Sequence, residues 1–236
     1  MHPKYSLMIL TQNRLQQLQT LIGGLESRLA HGDMELLIWD NGSDKETVDF
    51  VSDLTLTLRG TVKVKTFLQN ENVGVARGRA ELMKAASGDT LIFMDSDVEI
   101  ISDAWLDRLM DALEPENVGL AGPAGSFVMW TPDGAVFSQA IPGQCDVVAG
   151  WCQAFKKEVL DAGVAMDTEY GFFWEEDSDF CMQVRAAGWD VATYHNTGLR
   201  HFPGQTGAEL VDRRKNMARF KEKWQGRELI REEGAY

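Results

Sequence analysis

A chain of 236 residues, 44% hydrophobic and 25% charged, is long enough to bury the core of one compact domain and too apolar for a disordered tail. Its 23 Lys and Arg against 36 Asp and Glu give a formal net charge of -13. That balance argues against general nucleic-acid or anionic-membrane binding, both of which rely on a basic footprint.

Tyr5 to Leu10 reads as a short apolar strand ending in the polar cluster Thr11–Arg14, and Leu15, Leu18, Leu21, Ile22, Leu25 and Leu29 then recur at helical spacing. A second strand, Glu35 to Trp39, runs into the turn Asp40-Asn41-Gly42-Ser43. Val62 to Leu68 is a third strand, followed after Asn70–Asn72 by a helix over Ala76–Ala86 that is expected to stop on a C-cap at Gly88. Leu91 to Met94 is continuously apolar, as a parallel strand covered on both faces should be; it ends at Asp95-Ser96-Asp97, and a helix follows over Ala104–Leu113. Further on, Phe127–Trp130 and Val136–Ser138 flank Thr131-Pro132-Asp133-Gly134, a hairpin signal. A helix over Asp177–Ala187 closes at Gly188, Val191–Tyr194 is a strand, and Glu209–Trp224 is a terminal helix with Leu210, Met217, Phe220 and Trp224 on its apolar face. There is no internal repeat or low-complexity tract.

Repeated strand–loop–helix units predict an α/β fold with a parallel sheet and right-handed crossovers, and such sheets bind ligands at the carboxyl ends of their strands. Three strand ends carry polar clusters, Thr11–Arg14, Asp40–Ser43 and Asp95–Asp97, which makes a nucleotide or metal site the leading expectation. Asp95 and Asp97 would suit a hard divalent cation, Mg or Mn, bridging a diphosphate. The plainer alternative is an Asp-rich turn capping the helix at Ala104. The acids Glu175-Glu176-Asp177-Ser178-Asp179 suit a helix N-terminus through the macrodipole, and one of them could also serve as a general base. The aromatic lead-in Tyr170–Trp174 favours a substrate cleft there. His201 becomes a metal ligand only if the fold brings it to Asp97, whereas His195, in a strand-like run, reads as structural.

The remaining signals are mostly negative. Cys145, Cys152 and Cys181 are odd in number and lack CxxC spacing, so they are expected to be reduced and buried rather than paired or zinc-bound. The uncharged stretch Val118–Pro132 is broken by Gly119, Gly122, Pro123 and Gly125 and is no membrane span. With no basic n-region before an apolar core, the N-terminus does not read as a signal peptide, and a cytoplasmic location is expected. Arg213, Arg214, Lys215, Arg219, Lys221 and Lys223 form the one strong basic patch. No GxGxxG, P-loop or nucleophile elbow is present to anchor a dehydrogenase, kinase or hydrolase reading.

Leu7–Arg14, Leu37–Ser43, Asn70-Glu71-Asn72-Val73-Gly74, Ser87-Gly88-Asp89, Ile92–Asp97 and Phe172–Phe180 with Arg185 and Ala187-Gly188-Trp189, taken in this order, resemble the inverting family 2 glycosyltransferases over roughly residues 5 to 206. The resemblance implies a GT-A fold in a single domain over 1–236. A nucleotide-sugar-binding half would span 1–98, an acceptor-binding and catalytic half 99–206, and a C-terminal helix 207–236. It also implies a UDP-sugar or related donor, an acceptor hydroxyl, and Mn or Mg as the cation. Carried over, the pattern gives Asp40 to the pyrimidine base, with Thr11, Asn13 and Asn72 on the nucleotide side and Arg79 near it. Asp95 would face ribose and metal, Asp97 would hold the metal, and His201 would be a further ligand. Asp177 would be the base with Glu176 beside it, and three successive acids leave that register open by one. Ala80 stands where many members have Asn. Inverting sugar transfer needs one base and one cation, and the chain offers both. The competing classes are a nucleotidyltransferase, whose Gly-rich basic loop is missing at Thr11–Arg14, and a non-catalytic nucleotide-sugar-binding module.

Overall fold

The computed structural model describes residues 2–58, 62–202 and 210–227. The expected helix start at Glu209 and the Pro203-Gly204 end of the resembling segment lie outside the described residues. The first half runs β1 (Tyr5–Thr11), α1 (Leu15–Leu29), β2 (Met34–Asp40), α2 (Lys45–Thr57), β3 (Lys63–Leu68), α3 (Val75–Ala85) and β4 (Thr90–Asp95). The second half adds β5 (Val98–Ile100), α4 (Trp105–Leu113), β6 (Val118–Gly122), β7 (Gly125–Thr131), β8 (Gly134–Gln139), β9 (Gly143–Cys145), β10 (Val147–Val148) and β11 (Cys152–Lys156). It closes with α5 (Glu158–Asp161), α6 (Glu176–Ala186), β12 (Asp190–Thr193), β13 (Leu199–His201) and α7 (Leu210–Trp224).

One eight-stranded sheet joins the two halves, in the order β3-β2-β1-β4-β11-β6-β12-β9. The pairs β1–β2, β1–β4, β2–β3 and β6–β12 are parallel, as expected. The sequence reading missed β11, which lies antiparallel between β4 and β6. Cys152-Gln153-Ala154-Phe155 has no β-branched residue and too little alternation to register as a strand, and it is made one by its neighbours on either side. It also missed α2, although Asp44 caps that helix by accepting from Thr47 N (3.0 Å).

Strand side chains alternate between two helical layers, so each strand feeds both. Leu7, Ile9, Leu36, Ile38, Ile92 and Met94 pack with α1, α2 and α4 on one face. Met8, Leu37, Trp39, Leu91 and Phe93 pack with α3, α6 and α7 on the other. Two local expectations are corrected. Helix α3 ends at Ala85, because Ala86 turns extended (φ -70, ψ 142), so Gly88 is not its cap. Gly88 is instead required by close approach, since a Cβ there would stand 2.7 Å from Ser6 N. His195 lies past the end of β12, exposed, rather than in the strand.

Candidate active site

The ends of β1 and β2 lie side by side, with Thr11 opposite Asp40. Asp40 has no exposed surface; its Oδ2 accepts from Ser43 N (3.2 Å), while its Oδ1 and Thr11 Oγ1 are buried without a hydrogen-bond partner among the described residues. Buried polar atoms left unpaired are costly, so these two are poised for a ligand that pairs them. Asn13 and Asn72 build the surrounding loops. Asn13 Oδ1 accepts from Asp44 N (2.7 Å) and its backbone N–H donates to Ser43 Oγ (3.0 Å). Asn72 Oδ1 accepts from Asn41 Nδ2 and Gly74 N (both 2.8 Å), and its Nδ2 donates to Gln12 Oε1 (2.9 Å). Gly42, at φ +73, lets this loop pack where a Cβ would come within 2.5 Å of the Glu71 carbonyl carbon.

Asp95 ends β4, and Asp97 opens the turn into β5. Strand β13 pairs antiparallel with β5, placing His201 opposite Val98, and Phe202 N donates to Asp97 O (3.0 Å). The condition set by the sequence is therefore met: Asp95, Asp97 and His201 each offer one ligand atom, all within 4.8 Å of one another. Two carboxylates and an imidazole form a donor set that fits Mn or Mg. His201 stacks on Trp151 at 5.2 Å with an interplanar angle of 8°, which fixes the ring. The capping alternative fails, because β5 intervenes and α4 starts at Ala104 with no side-chain cap. A cleft of about 450 Å³ opens beside Trp151 and His201, walled by residues 123–125 and 193–199.

The acids lie at the start of α6. Trp174 (φ 83) and Glu175 (φ 69) are consecutive left-handed residues, a costly conformation outside glycine. Asn216 of α7, 1% exposed, holds them: its Nδ2 donates to Phe173 O (2.9 Å) and Trp174 O (3.1 Å), and its Oδ1 accepts from Gly171 N (3.0 Å). Asp179 bolts α7 to α6 by accepting from Tyr170 Oη, Gln183 Nε2, Lys223 Nζ and Trp224 Nε1. Asp177 is half-buried; its Oδ2 accepts from Gly150 N and its Oδ1 from Ser178 N, both at 2.7 Å. Glu175 and Glu176 are buried, and burial together with the nearby Asp177 charge pushes them up to about 7 and about 8.

Arg79, 3% exposed, joins the two ends of the site. Its Nη2 donates to Asp95 Oδ1 (2.9 Å) and to Gly150 O (2.7 Å), so the Gly150 peptide unit touches Arg79 with one group and Asp177 with the other. A Cβ on Gly150 would stand 2.8 Å from Asp177 Oδ2 and 2.9 Å from Arg79 Nη1, so no other residue fits. Sequence reasoning missed Gly150, Trp151 and Asn216, which act through backbone groups and ring stacking that no local motif marks.

The sequence profile described as Glycosyl transferase family 2 matches residues 6–162. An uncharacterised protein of Sinorhizobium fredii, y4gI, is 22% identical over 262 aligned positions, covering 94% of this chain and 28% of its own length. Among solved structures, GalNAc-T7 with UDP, GalNAc and Mn²⁺ superposes with a TM-score of 0.74 at 17% identity, over 95% of this chain and 48% of that one. Mannosyltransferase PcManGT from Pyrobaculum calidifontis, in complex with GDP-Man and Mn²⁺, gives 0.64 at 16% identity, over 84% and 56%. The chain thus spans about half the length of these two structures and less of y4gI. The shared architecture is the GT-A fold.

Proposed function

The chain belongs to glycosyl transferase family 2, and from that premise we propose that it moves a sugar from a nucleotide-diphosphate sugar, a UDP-sugar, to an acceptor hydroxyl with inversion at the anomeric carbon. The observation that carries this reading is the hydrogen-bonded path from Asp95 through Arg79 and Gly150 to Asp177, which holds a cation-binding group and a carboxylate in one site. On this reading residues 1–98 would serve the donor and 99–206 the acceptor and catalysis; of the C-terminal helix expected over 207–236, the described part is α7, Leu210–Trp224, and residues 207–209 and 228–236 lie outside the described residues. Asp40 and Thr11 supply the unpaired acceptors for the nucleotide base and ribose, within loops braced by Asn13 and Asn72.

Asp95, Asp97 and His201 would hold Mn or Mg, which when bound neutralises the charge of the departing diphosphate. Mn²⁺ is present in both structural neighbours, alongside a UDP species in one and GDP-Man in the other. Asp177 accepts the acceptor hydroxyl proton as that oxygen bonds to the anomeric carbon and the carbon–oxygen bond to the diphosphate breaks. Its partial exposure and two backbone N–H donors favour it over Glu176, which is buried and keeps its proton at neutral pH. Arg79, expected near the nucleotide, acts by fixing the Asp95 and Gly150 positions. Among the described residues no helix is long and apolar enough to cross a membrane, and the three free, buried cysteines suit a reducing cytoplasm.

The test is calorimetry of UDP and GDP with and without Mn²⁺. Mn²⁺-dependent binding with preference for UDP is expected, and Asp97→Ala should abolish the metal dependence while leaving the circular dichroism spectrum unchanged. Binding that is indifferent to Mn²⁺ in both proteins sinks the metal assignment. Pyrophosphate release from a nucleoside triphosphate and a sugar phosphate would instead establish a nucleotidyltransferase.

A further inference from the structure

The basic patch on α7 divides into two parts. Arg219 and Lys223 are committed to Asp167, Lys223 also to Asp179, and Lys221 to the Pro132 carbonyl. Arg213, Arg214 and Lys215 are consecutive, exposed, and make no hydrogen bond or ion pair among the described residues. Arg213 places its guanidinium carbon 4.4 Å from the Trp174 ring centroid, and its charge draws Glu175 down against burial. Trp174 is 41% exposed and Phe172 49%, on the loop that leads directly into Glu176 and Asp177. Large exposed aromatics cost solvation unless they meet a partner, and here they lie beside the proposed base.

This shelf adjoins the donor side through the Phe172 backbone, whose carbonyl accepts from Val75 N (2.8 Å), and reaches α7 through the Trp174 ring and Arg213. Asp177 is tied to Gly150 and, through Arg79, to Asp95, whereas Trp174 is tied to Asn216 and Arg213 of α7. A guanidinium held against an indole keeps its in-plane N–H donors for a further ligand. In a chain of net charge -13, the exposed cations at the start of α7 are a local reversal of the field that draws anions toward Arg213.

Resting on the glycosyltransferase reading above, we propose that the acceptor is an anionic sugar, its phosphate or carboxylate bound by Arg213, and its ring laid against Trp174 and Phe172. The hydroxyl to be glycosylated then falls at Asp177. Such a group could sit on a soluble sugar phosphate or on a lipid-linked one, and the chemistry recognised is the same.

The experiment uses the full chain saturated with UDP and Mn²⁺, so that the donor site is closed to the probes. Hexose 1-phosphates and their methyl glycosides are titrated in parallel, and vesicles of phosphatidylcholine with and without a polyprenyl phosphate-linked hexose are tested for retention. The phosphates are expected to bind roughly tenfold more tightly than the glycosides, the strength of a charge-assisted contact. Arg213→Ala should erase that preference, Arg213→Lys should restore part of it, and UDP–Mn²⁺ affinity should be the same in all three proteins. Retention on the vesicles that carry the polyprenyl phosphate-linked hexose assigns a lipid-linked source, and phosphate preference without retention a soluble one. Equal affinity for phosphates and glycosides, or a preference that survives Arg213→Ala, overturns the proposal while leaving the donor reading intact. Failure of UDP–Mn²⁺ to bind at all would overturn the donor reading and this inference together.

Discussion

Burial alone would raise the Glu35 carboxyl, but hydrogen bonds from Ser6 Oγ and from Ser87 N and Oγ, with Lys63 Nζ at 3.1 Å, hold it at about 2. For Glu176, burial beside the Asp177 charge outweighs the Arg79 charge and a backbone N–H donor and pushes it to about 8. The two acids therefore give opposite pH dependences. Glu35 contributes stability above its ordinary value near 4.5, lost as pH falls toward about 2. Glu176 binds its proton more tightly folded than unfolded, so stability falls as pH rises from about 4.5 to about 8. Urea denaturation across that interval should show the decline in the parent protein and a flatter profile in Glu176→Gln. On activity the ranking reverses: Asp177→Asn should lower turnover by roughly a hundredfold or more, with donor affinity nearly unchanged, and Glu176→Gln should cost less. The opposite order would move the base by one residue. Asp40→Ala should weaken UDP binding by about 1–3 kcal/mol through loss of the buried Oδ1 acceptor, and calorimetry showing equal affinity would remove Asp40 from the nucleotide site.

At the scale of elements, α7 acts on the acids of α6 from about forty residues further along the chain. Asn216→Ala would leave Gly171 N, Phe173 O and Trp174 O without their partner, at a cost of about 1–3 kcal/mol, and would release two left-handed residues beside the proposed base. The expected result is a lower denaturation midpoint and a fall in kcat with UDP affinity preserved. Unchanged turnover would show that the loop keeps its shape without the clamp. Much of the candidate site was readable because its pieces end apolar strands: Thr11 ends β1, Asp40 ends β2 and Asp95 ends β4, so hydrophobic runs point to them. The clamp was not readable. Asn216 sits amid charged residues on a helix whose polar positions usually face water, and only the docking of α7 makes it a buried donor.

For the molecule as a whole, the alternation of strands and helices made the first half legible, and the second half stayed obscure because its strands are short and paired across long separations. His201 shows why: its register with Val98 spans about a hundred residues, a pairing that local periodicity cannot encode. The same property governs the seam between β4 and β11, where Leu91, Ile92, Phe93 and Met94 meet the strand Cys152–Lys156.

During synthesis that seam opens a window of exposure. Strand β4 is complete at Asp95, yet the strand that covers its free edge is finished about sixty residues later. At ribosomal rates the interval lasts about 3–12 s, during which a wholly apolar edge stands unpaired. A chain halted after Asp97 should therefore collect in the insoluble fraction when expressed, and the full chain should be recovered in better yield when translation is slow or a holding chaperone is abundant. Soluble, monomeric recovery of the halted chain would mean that β4 finds another cover. Otherwise strand β11 decides, before any catalysis, whether the first half of the chain survives its own birth.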